Sequence, residues 1–262
     1  MTGRTDFAAN AEIIENSAIL ENTGLRNMIL YAPKIADLTK PGQLAHIKCG
    51  DALTLRRPFS IAGCDKEKGT IRICYDIRGK GTRWMSEQKE GTKLSVLGPL
   101  GNGYGIYKNK KALLAGGGTG IYSLLALAAV YGTGAVAAMG FRSAGLINTA
   151  EDFAGYGARV SVITDDGSNG RKGFVTDLVR EELGKGDTDI VYICGPFQMM
   201  ANAVKIVNEF GVECEVSMEE RMGCGVGACQ ACVCKAVASE GENYKRVCVD
   251  GPVFKSEEIL WK

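Results

Sequence analysis

The stretch ALLAGGGTG, residues 112–120, is an apolar run that ends in a glycine-rich loop, and IYSLLALAAVY, residues 121–131, follows it directly. The apolar run predicts a short buried strand, the glycines a tight loop and the next segment a helix. A helix N-terminus that faces such a loop can hold a pyrophosphate. This order predicts the first strand, loop and helix of a nucleotide-binding sheet.

One feature keeps a plainer interpretation of the glycine-rich loop open. The acidic residue expected about 20 residues further on in a dinucleotide fingerprint is absent, because Gly140, Phe141 and Arg142 stand there. Simple tight packing of strand and helix would also explain the glycines. Arg142 could recognise a 2′-phosphate, so NADP stays open beside NAD.

Short apolar runs continue to alternate with helical patterns up to residue 216, which predicts a doubly wound parallel α/β sheet over residues 109–216. A second loop, Cys194-Gly195-Pro196, follows the fourth predicted strand, at the edge where such sheets bind ligands. The predicted strands are Ala112–Ala115, Ala135–Met139, Arg159–Thr164, Ile190–Cys194 and Glu213–Val216, and the predicted helices are Ile121–Tyr131, Thr149–Tyr156, Phe174–Leu183 and Phe197–Glu209.

The uncharged stretch from Ala112 to Phe141 resembles a membrane span only in hydropathy, since seven glycines interrupt it. Its helical part, Ile121–Tyr131, would be about 16 Å long at ~1.5 Å per residue. A bilayer core is ~30 Å thick. We therefore expect a buried strand, loop and helix.

Residues 1–108 read as strands separated by turns, which predicts an antiparallel β-barrel. The predicted strands are Ala11–Leu20, Leu25–Ala32, Gln43–Cys49, Arg57–Cys64, Thr70–Ile77 and Thr92–Gly98.

Two short motifs in the barrel region suggest a flavin. In Arg57-Pro58-Phe59-Ser60 an arginine could clamp a pyrophosphate, and the apolar and hydroxyl side chains could contact the flavin. In Gly79-Lys80-Gly81-Thr82 backbone amides and a hydroxyl could hold phosphate. Each motif alone is weak, since the first could be any strand and the second a plain surface loop.

The last region, residues 217–262, has little room for a core and reads as a small domain held by a metal group. Cys224, Cys229 and Cys232 have the C-x4-C-x2-C spacing of plant-type 2Fe-2S ferredoxins, and Cys248 is the fourth candidate ligand. Small residues between them would let backbone amides turn towards the sulfurs. The sequence predicts a 2Fe-2S cluster on these four thiolates.

Zinc is the main alternative for the cysteines, but zinc sites favour paired C-x2-C hooks, and only one hook is present without a nearby histidine. Cys234, two residues after Cys232, could be confused with a ligand. We expect it to point away.

Composition excludes several classes of partner. The net charge is +1, from 31 basic and 30 acidic residues, so nothing indicates nucleic acid or an anionic membrane. Ten cysteines without a signal peptide favour thiols and metal ligands in the cytoplasm. His46, the only histidine, is expected to be structural or exposed. We predict no catalytic side chain, because no nucleophile lies beside a base, so the chemistry must come from cofactors.

The three regions in this order resemble the ferredoxin reductase superfamily, and within it the family of electron-transfer subunits of the two-subunit, NAD-dependent dihydroorotate dehydrogenase. The resemblance covers nearly the whole chain. It rests on Arg57–Ser60, residues 98–103, Gly116–Gly120, residues 165–168, Cys194–Pro196, residues 219–222, the cysteine loop (Cys224–Cys232) and residues 247–254.

That resemblance implies an oxidoreductase subunit of pyrimidine biosynthesis with FAD, a 2Fe-2S cluster and NAD(H) as substrate. Its partner would be an FMN-containing catalytic subunit, with two of each subunit in a heterotetramer. FAD would contact Arg57, Pro58, Phe59, Ser60, Cys74, Tyr75, Asp76, Gly81 and Thr82. The nicotinamide would contact Gly118, Thr119, Gly120, Cys194, Gly195 and Pro196.

Three alternatives for function stay open. Related subunits serve ferredoxin:NADP reductases, sulfur reductases and hydrogenases, some of which replace a cysteine ligand with aspartate; here Cys224 stands at that position. A non-enzymatic iron–sulfur redox carrier or sensor would bind the cluster without flavin. A zinc-stabilised binding module would be colourless.

Overall fold

The computed structural model of the chain describes residues 8–237 and 242–261. Their contacts form two compact units. The barrel unit comprises the described residues up to Gly103 together with Glu219–Cys234 and Lys245–Pro252. The sheet unit comprises Tyr104–Met218, the described part of residues 235–244, and Val253–Trp261. The predicted domain limits at 108/109 and 216/217 stay a prediction.

Six strands close the barrel in the order β1-β2-β5-β4-β3-β6, and every pairing is antiparallel. This confirms the predicted antiparallel barrel. The strands are β1 (Ala8–Ala18), β2 (Leu25–Tyr31), β3 (Leu44–Ile47), β4 (Arg57–Asp65), β5 (Thr70–Asp76) and β6 (Lys93–Leu100).

Side chains alternate along the strands between the barrel interior and its outer face. Ala45 and Ile47 of β3 belong to the interior core with residues such as Ile71 and Ile73 of β5. Leu44 and His46, the intervening residues of β3, are outside that core cluster and are nevertheless buried. Something therefore covers the outer face of β3.

Two short helices of this unit were not among the predicted elements: α1 (Pro33–Leu38) and α2 (Lys80–Ser86). Pro33 lies in the first turn of α1, where its missing N–H costs nothing. The predicted turn at residues 79–82 is the start of α2. The Thr82 hydroxyl accepts hydrogen bonds from the backbone N–H groups of Arg78 (2.9 Å) and Gly79 (3.2 Å), which ends the preceding strand segment and begins the helix.

The sheet unit contains a parallel sheet of five strands, as predicted, with helices in the connections. Strands β8 and β9 lie on one side of β7 and strands β10 and β11 on the other, so the doubly wound prediction is confirmed. The elements are β7 (Ala112–Gly117), α3 (Ile121–Tyr131), β8 (Ala135–Phe141), α4 (Ala150–Gly155), β9 (Arg159–Thr164), α5 (Val175–Gly184), β10 (Ile190–Cys194), α6 (Phe197–Phe210) and β11 (Glu213–Ser217).

The last part of the chain adds three strands that were not predicted. Strands β12 (Val233–Val237) and β13 (Glu242–Arg246) pair with each other. Strand β14 (Val253–Lys255) joins the large sheet antiparallel to β11, with Ser217 opposite Val253. The sheet is therefore parallel except at this edge.

Helix α3, in the uncharged stretch, is 11 residues long. Within the described residues, no helix has both the length and the apolar character needed to span a membrane.

Candidate functional site

Cys224 and Cys229 lie side by side in a tight loop of the barrel unit. The backbone N–H of Cys224 donates to the Cys229 Sγ at 3.3 Å. The backbone N–H groups of Val226 and Cys229 donate to the Cys224 Sγ, both at 3.4 Å. Desolvation opposes ionisation of the Cys224 thiol, but these hydrogen bonds together outweigh it and lower its pKa to about 7. The loop therefore favours a thiolate at Cys224.

Cys232 and Cys248 form a second, buried pair. Burial, followed by the hydrogen bond and the charge of the neighbouring Cys232 thiol, raises the pKa of Cys248 to about 12. The backbone N–H of Val247 donates to the Cys232 carbonyl oxygen at 2.8 Å, which fixes the segment that carries Cys248 beside the loop.

An arginine braces the two segments. The Nε of Arg246 donates to the Asp250 Oδ2 at 3.0 Å, closing a turn around Cys248. The Nη1 of Arg246 donates to the Gly227 carbonyl oxygen at 3.2 Å, inside the cysteine loop. Gly225 and Gly227 have φ of +74° and +82°, a backbone conformation that favours glycine, and it lets the loop curl around Cys224.

This donor set fits a two-iron cluster. A 2Fe-2S cluster takes two thiolates on each iron, and the four cysteines form two neighbouring pairs, with backbone amides directed at the sulfurs of Cys224 and Cys229. Among residues 8–237 and 242–261, no three His, Cys, Asp or Glu side chains converge on the position of one metal ion.

Cys234 has a different environment from the four candidate ligands. It lies on β12, where its Sγ donates to the Lys245 carbonyl oxygen at 3.6 Å. Burial, and secondarily the charge of Glu220, raises the pKa of its thiol to about 11. The hydrogen bond to the Lys245 carbonyl oxygen supports leaving Cys234 outside the ligand set.

The barrel brings the two predicted flavin motifs together. A Cβ atom added to Gly81 would lie 3.1 Å from the Arg57 Nε and 3.2 Å from the Arg57 Cγ, so the arginine lies across the start of α2. The Arg57 Nη1 donates to the Leu55 carbonyl oxygen at 2.5 Å. Phe59 packs edge-on against Tyr75, with ring centroids 5.7 Å apart. A strand segment and a turn that are distant in sequence thus share one patch.

The remaining predicted flavin contacts have roles within the barrel. The Tyr75 hydroxyl donates to the Asn16 Oδ1 at 3.3 Å, and burial raises its pKa to about 12. The Cys74 Sγ lies 3.8 Å from the Asn27 Oδ1. Asp76 accepts a hydrogen bond from the Arg78 Nε at 3.0 Å. Ser60 lies opposite Leu44 on β3, and Pro58 lies opposite His46.

The two predicted nicotinamide loops are in contact at the carboxyl ends of β7 and β10. Cys194 lies opposite Gly116 in the parallel register of these strands. A Cβ atom at Gly120 would lie 2.6 Å from both the N and the Cα of Gly195. Met199 packs on the same glycines, with its Sδ 2.7 Å from a Cβ built on Gly117. The loops therefore approach one another so closely that no side chain fits at Gly120.

His46 was not among the predicted site residues. Its side chain is fully buried, and the cysteine loop passes directly over it, since a Cβ atom at Gly225 would lie 2.6 Å from its Nδ1. The burial of His46 agrees with the expectation of a structural role, and the alternative expectation of an exposed side chain is wrong. The sequence carried one signal, a lone polar residue in the apolar strand LAHI, residues 44–47.

Comparison with known proteins agrees with this architecture. Residues 219–260 match the family model "Iron-sulfur cluster binding domain of dihydroorotate dehydrogenase B", a range that includes all four candidate ligand cysteines. Residues 156–205 match the model "Oxidoreductase NAD-binding domain", which includes Cys194–Pro196.

Two curated relatives are similar along most of their length. The dihydroorotate dehydrogenase B (NAD(+)) electron transfer subunit of Caldanaerobacter subterraneus subsp. tengcongensis is 45% identical over 84% of this chain and 87% of its own length. The same subunit from Bacillus velezensis is 41% identical over 96% of this chain and 98% of its own. This chain belongs to the family of dihydroorotate dehydrogenase B electron transfer subunits.

Solved structures extend the likeness of this electron transfer subunit family. A chain of the NADH-dependent reduced ferredoxin-NADP oxidoreductase, from a study of flavin-based electron bifurcation, has a TM-score of 0.85 and 32% identity. It covers 100% of this chain and 92% of its own length. The Amycolatopsis cytochrome P450 reductase, at 21% identity and a TM-score of 0.65 over 78% of this chain and 66% of its own, shares the fold. The predicted ferredoxin reductase fold is confirmed.

Proposed function

We propose that this chain carries electrons between NAD(H) and an FMN-containing catalytic subunit that interconverts dihydroorotate and orotate, in pyrimidine biosynthesis. The observation that carries the proposal is the paired arrangement of Cys224 with Cys229 and of Cys232 with Cys248, in a chain of this family. When bound, FAD couples the two-electron hydride exchange of the nicotinamide to the one-electron transfers of a 2Fe-2S cluster. The chain's own residues must bind and orient these groups.

The cysteine loop would hold the cluster. Its three thiolates, together with that of Cys248, would take the irons, and the backbone N–H groups of Val226 and Cys229 already point at the Cys224 sulfur. The brace from Arg246 to Asp250 and to Gly227 would keep the Cys248 segment in place. These hydrogen bonds order the ligands without the metal, which lowers the entropy cost of assembling the cluster.

The patch around Arg57 and Gly81 would hold FAD. The guanidinium of Arg57 is a half-buried cation whose stem is fixed by the neighbouring glycine, so it is ready to meet a pyrophosphate. The ring of Phe59, held by Tyr75, offers an apolar surface beside it.

Replacing Arg57 with methionine is expected to lower FAD retention at least tenfold, because the cation is lost while the apolar stem that packs on Gly81 remains. The ratio of flavin absorbance to protein after desalting measures this. Arg83→Met, at an exposed position of α2, is the matched control and should retain flavin. Equal retention in both variants would remove Arg57 from the FAD site.

The contacting loops of the sheet unit, Gly118–Gly120 and Cys194–Pro196, would receive the nicotinamide nucleotide. They follow adjacent parallel strands, at the edge of the sheet where such folds bind ligands. The preference between NADH and NADPH can be read from flavin bleaching with each nucleotide. No bleaching by either one would contradict the proposal.

The partner is tested by co-expressing this chain with an FMN-containing catalytic dihydroorotate dehydrogenase subunit. We expect a complex of two copies of each, measured by native mass, that reduces NAD+ with dihydroorotate. A chain that binds both its cofactors but neither forms this complex nor couples to dihydroorotate would refute the assignment of the partner. A cytoplasmic location is part of the proposal, since ten cysteines suit a reducing compartment.

A second candidate follows from the structural likeness to the NADH-dependent reduced ferredoxin-NADP oxidoreductase chain. In that role the chain would serve a complex that uses ferredoxin and NADP(H). Cysteine rather than aspartate at position 224 favours the pyrimidine enzyme. Ferredoxin-linked turnover with a different partner, without dihydroorotate activity, would favour the second candidate.

A further inference from the structure

His46 occupies an unusual place for a histidine. It lies on β3 with its side chain on the outer face of the barrel, because its neighbours Ala45 and Ile47 point into the interior core. Its side chain is nevertheless 0% exposed. An outward-pointing side chain can be this buried only if another segment covers it.

The covering segment is the cysteine loop of the same unit. A Cβ atom at Gly225, directly after Cys224, would lie 2.6 Å from the His46 Nδ1 and 3.4 Å from its Cε1. The Leu100 Cδ1 would lie 3.2 Å from the same Cβ atom. Only a residue without a side chain fits here, so the imidazole ring lies directly against the loop backbone.

Neither ring nitrogen of His46 has a hydrogen-bond partner among the described residues. Desolvation lowers the pKa of the ring to about 4. The backbone of Arg56 is close enough to oppose that shift in part but does not have the geometry of a hydrogen bond. An imidazole carries at least one N–H whether it is neutral or charged, and a buried donor without an acceptor is destabilising. The site therefore needs an acceptor that the described residues do not supply.

We propose that the N–H of His46 donates a hydrogen bond to a sulfur atom of the 2Fe-2S cluster bound by the loop that covers it. The inference rests on the proposed function, because it requires the cluster. The sulfurs of such a cluster accept hydrogen bonds, and their negative charge grows when the cluster is reduced. A donor at this point stabilises the reduced cluster and raises its reduction potential.

The chain offers an unusually clean spectroscopic test, because His46 is its only histidine. The full chain, purified without a polyhistidine tag and with its cofactors bound, is labelled with 15N-histidine and reduced. Pulsed EPR of the reduced cluster should show one coupled 15N nucleus, together with an exchangeable deuteron after transfer to D2O. A reduced cluster without any histidine coupling would overturn the inference.

A pair of variants of equal shape provides the second measurement. His46→Leu removes the donor, whereas His46→Asn keeps an N–H near the position of Nδ1. We expect the midpoint potential of His46→Leu to fall by about 59 mV, equal to about a tenfold weaker affinity for the electron. His46→Asn should recover at least half of that shift. Equal potentials in wild type and both variants would overturn the inference.

The experiments separate this inference from the proposed function. If the wild-type chain gives no signal of a reduced 2Fe-2S cluster, the proposed function fails. If the signal is present but carries no histidine coupling, only the role of His46 fails. A His46→Leu variant that does not fold leaves the labelling experiment on the wild-type chain to decide.

Discussion

Replacing Cys232 with serine is expected to leave the chain with less than a tenth of its bound iron and acid-labile sulfide. Cys232 is 1% exposed and paired with Cys248, so solvent water does not reach its position to replace it. A serine hydroxyl is not ionised at neutral pH, and iron–sulfur clusters select soft thiolate ligands. Iron and sulfide analysis, with the visible absorption of the cluster, measures the loss. Dihydroorotate-linked turnover should fall with it.

Cys234→Ser is the matched control for this variant. It makes the same change two residues away, at a thiol that hydrogen bonds to the Lys245 carbonyl oxygen, and should keep its iron and sulfide. Both variants should still show flavin bleaching by NADH, since neither position belongs to the predicted flavin or nicotinamide contacts. Loss of the cluster in the Cys234 variant, with retention in the Cys232 variant, would reverse the ligand assignment.

Replacing Gly120 with alanine is expected to raise the KM for NADH by tenfold or more. The new methyl group would lie 2.6 Å from the backbone N and Cα of Gly195 and 2.8 Å from the Cys194 carbonyl carbon. None of these atoms can move without shifting the whole loop, and a displacement of about 1 Å in a binding site can cost about a hundredfold. NADH-dependent reduction of ferricyanide measures the effect.

Gly134→Ala controls for the loss of a glycine in the same unit. A Cβ atom there meets nothing within 4 Å, and its backbone is not in the left-handed region. We expect an unchanged KM and unchanged flavin content. If Gly120→Ala also keeps the wild-type KM while remaining folded, the contact between the two loops is tight packing alone, as the sequence left open.

The elements that could be predicted are those whose signal is local. The spacing of the cysteines is typical of a 2Fe-2S site, so the four candidate ligands could be named from the sequence. The structure brings their thiols into two pairs. Strands β7 and β10 are fully buried, so they read as continuous apolar runs. The position of the loops after these strands could also be predicted, because parallel strands present their carboxyl ends at one edge of the sheet.

The features that escaped prediction depend on contacts distant in sequence. Helix α2 contains a glycine in its first turn, and the Thr82 hydroxyl stabilises its start. Its sequence pattern therefore predicts a loop. Strand β14 is three residues long and exists because β11 offers it a free edge. The position of His46 could not be predicted, because only the folded barrel brings Gly225 against β3.

The pairing of Ser217 with Val253 has a consequence for how this chain can be cut or rebuilt. The polypeptide leaves the large sheet at the end of β11, supplies the four cysteines proposed as cluster ligands, and returns to pair with the strand it left. The cluster segment is thus an insertion and not an appendage. A truncation that removes it from the C-terminal side also strips the sheet of its edge strand, whereas a short turn that joins residue 217 to residue 253 would excise it. Such a deletion should give a protein that still oxidises NADH with its flavin but no longer transfers electrons to a partner subunit.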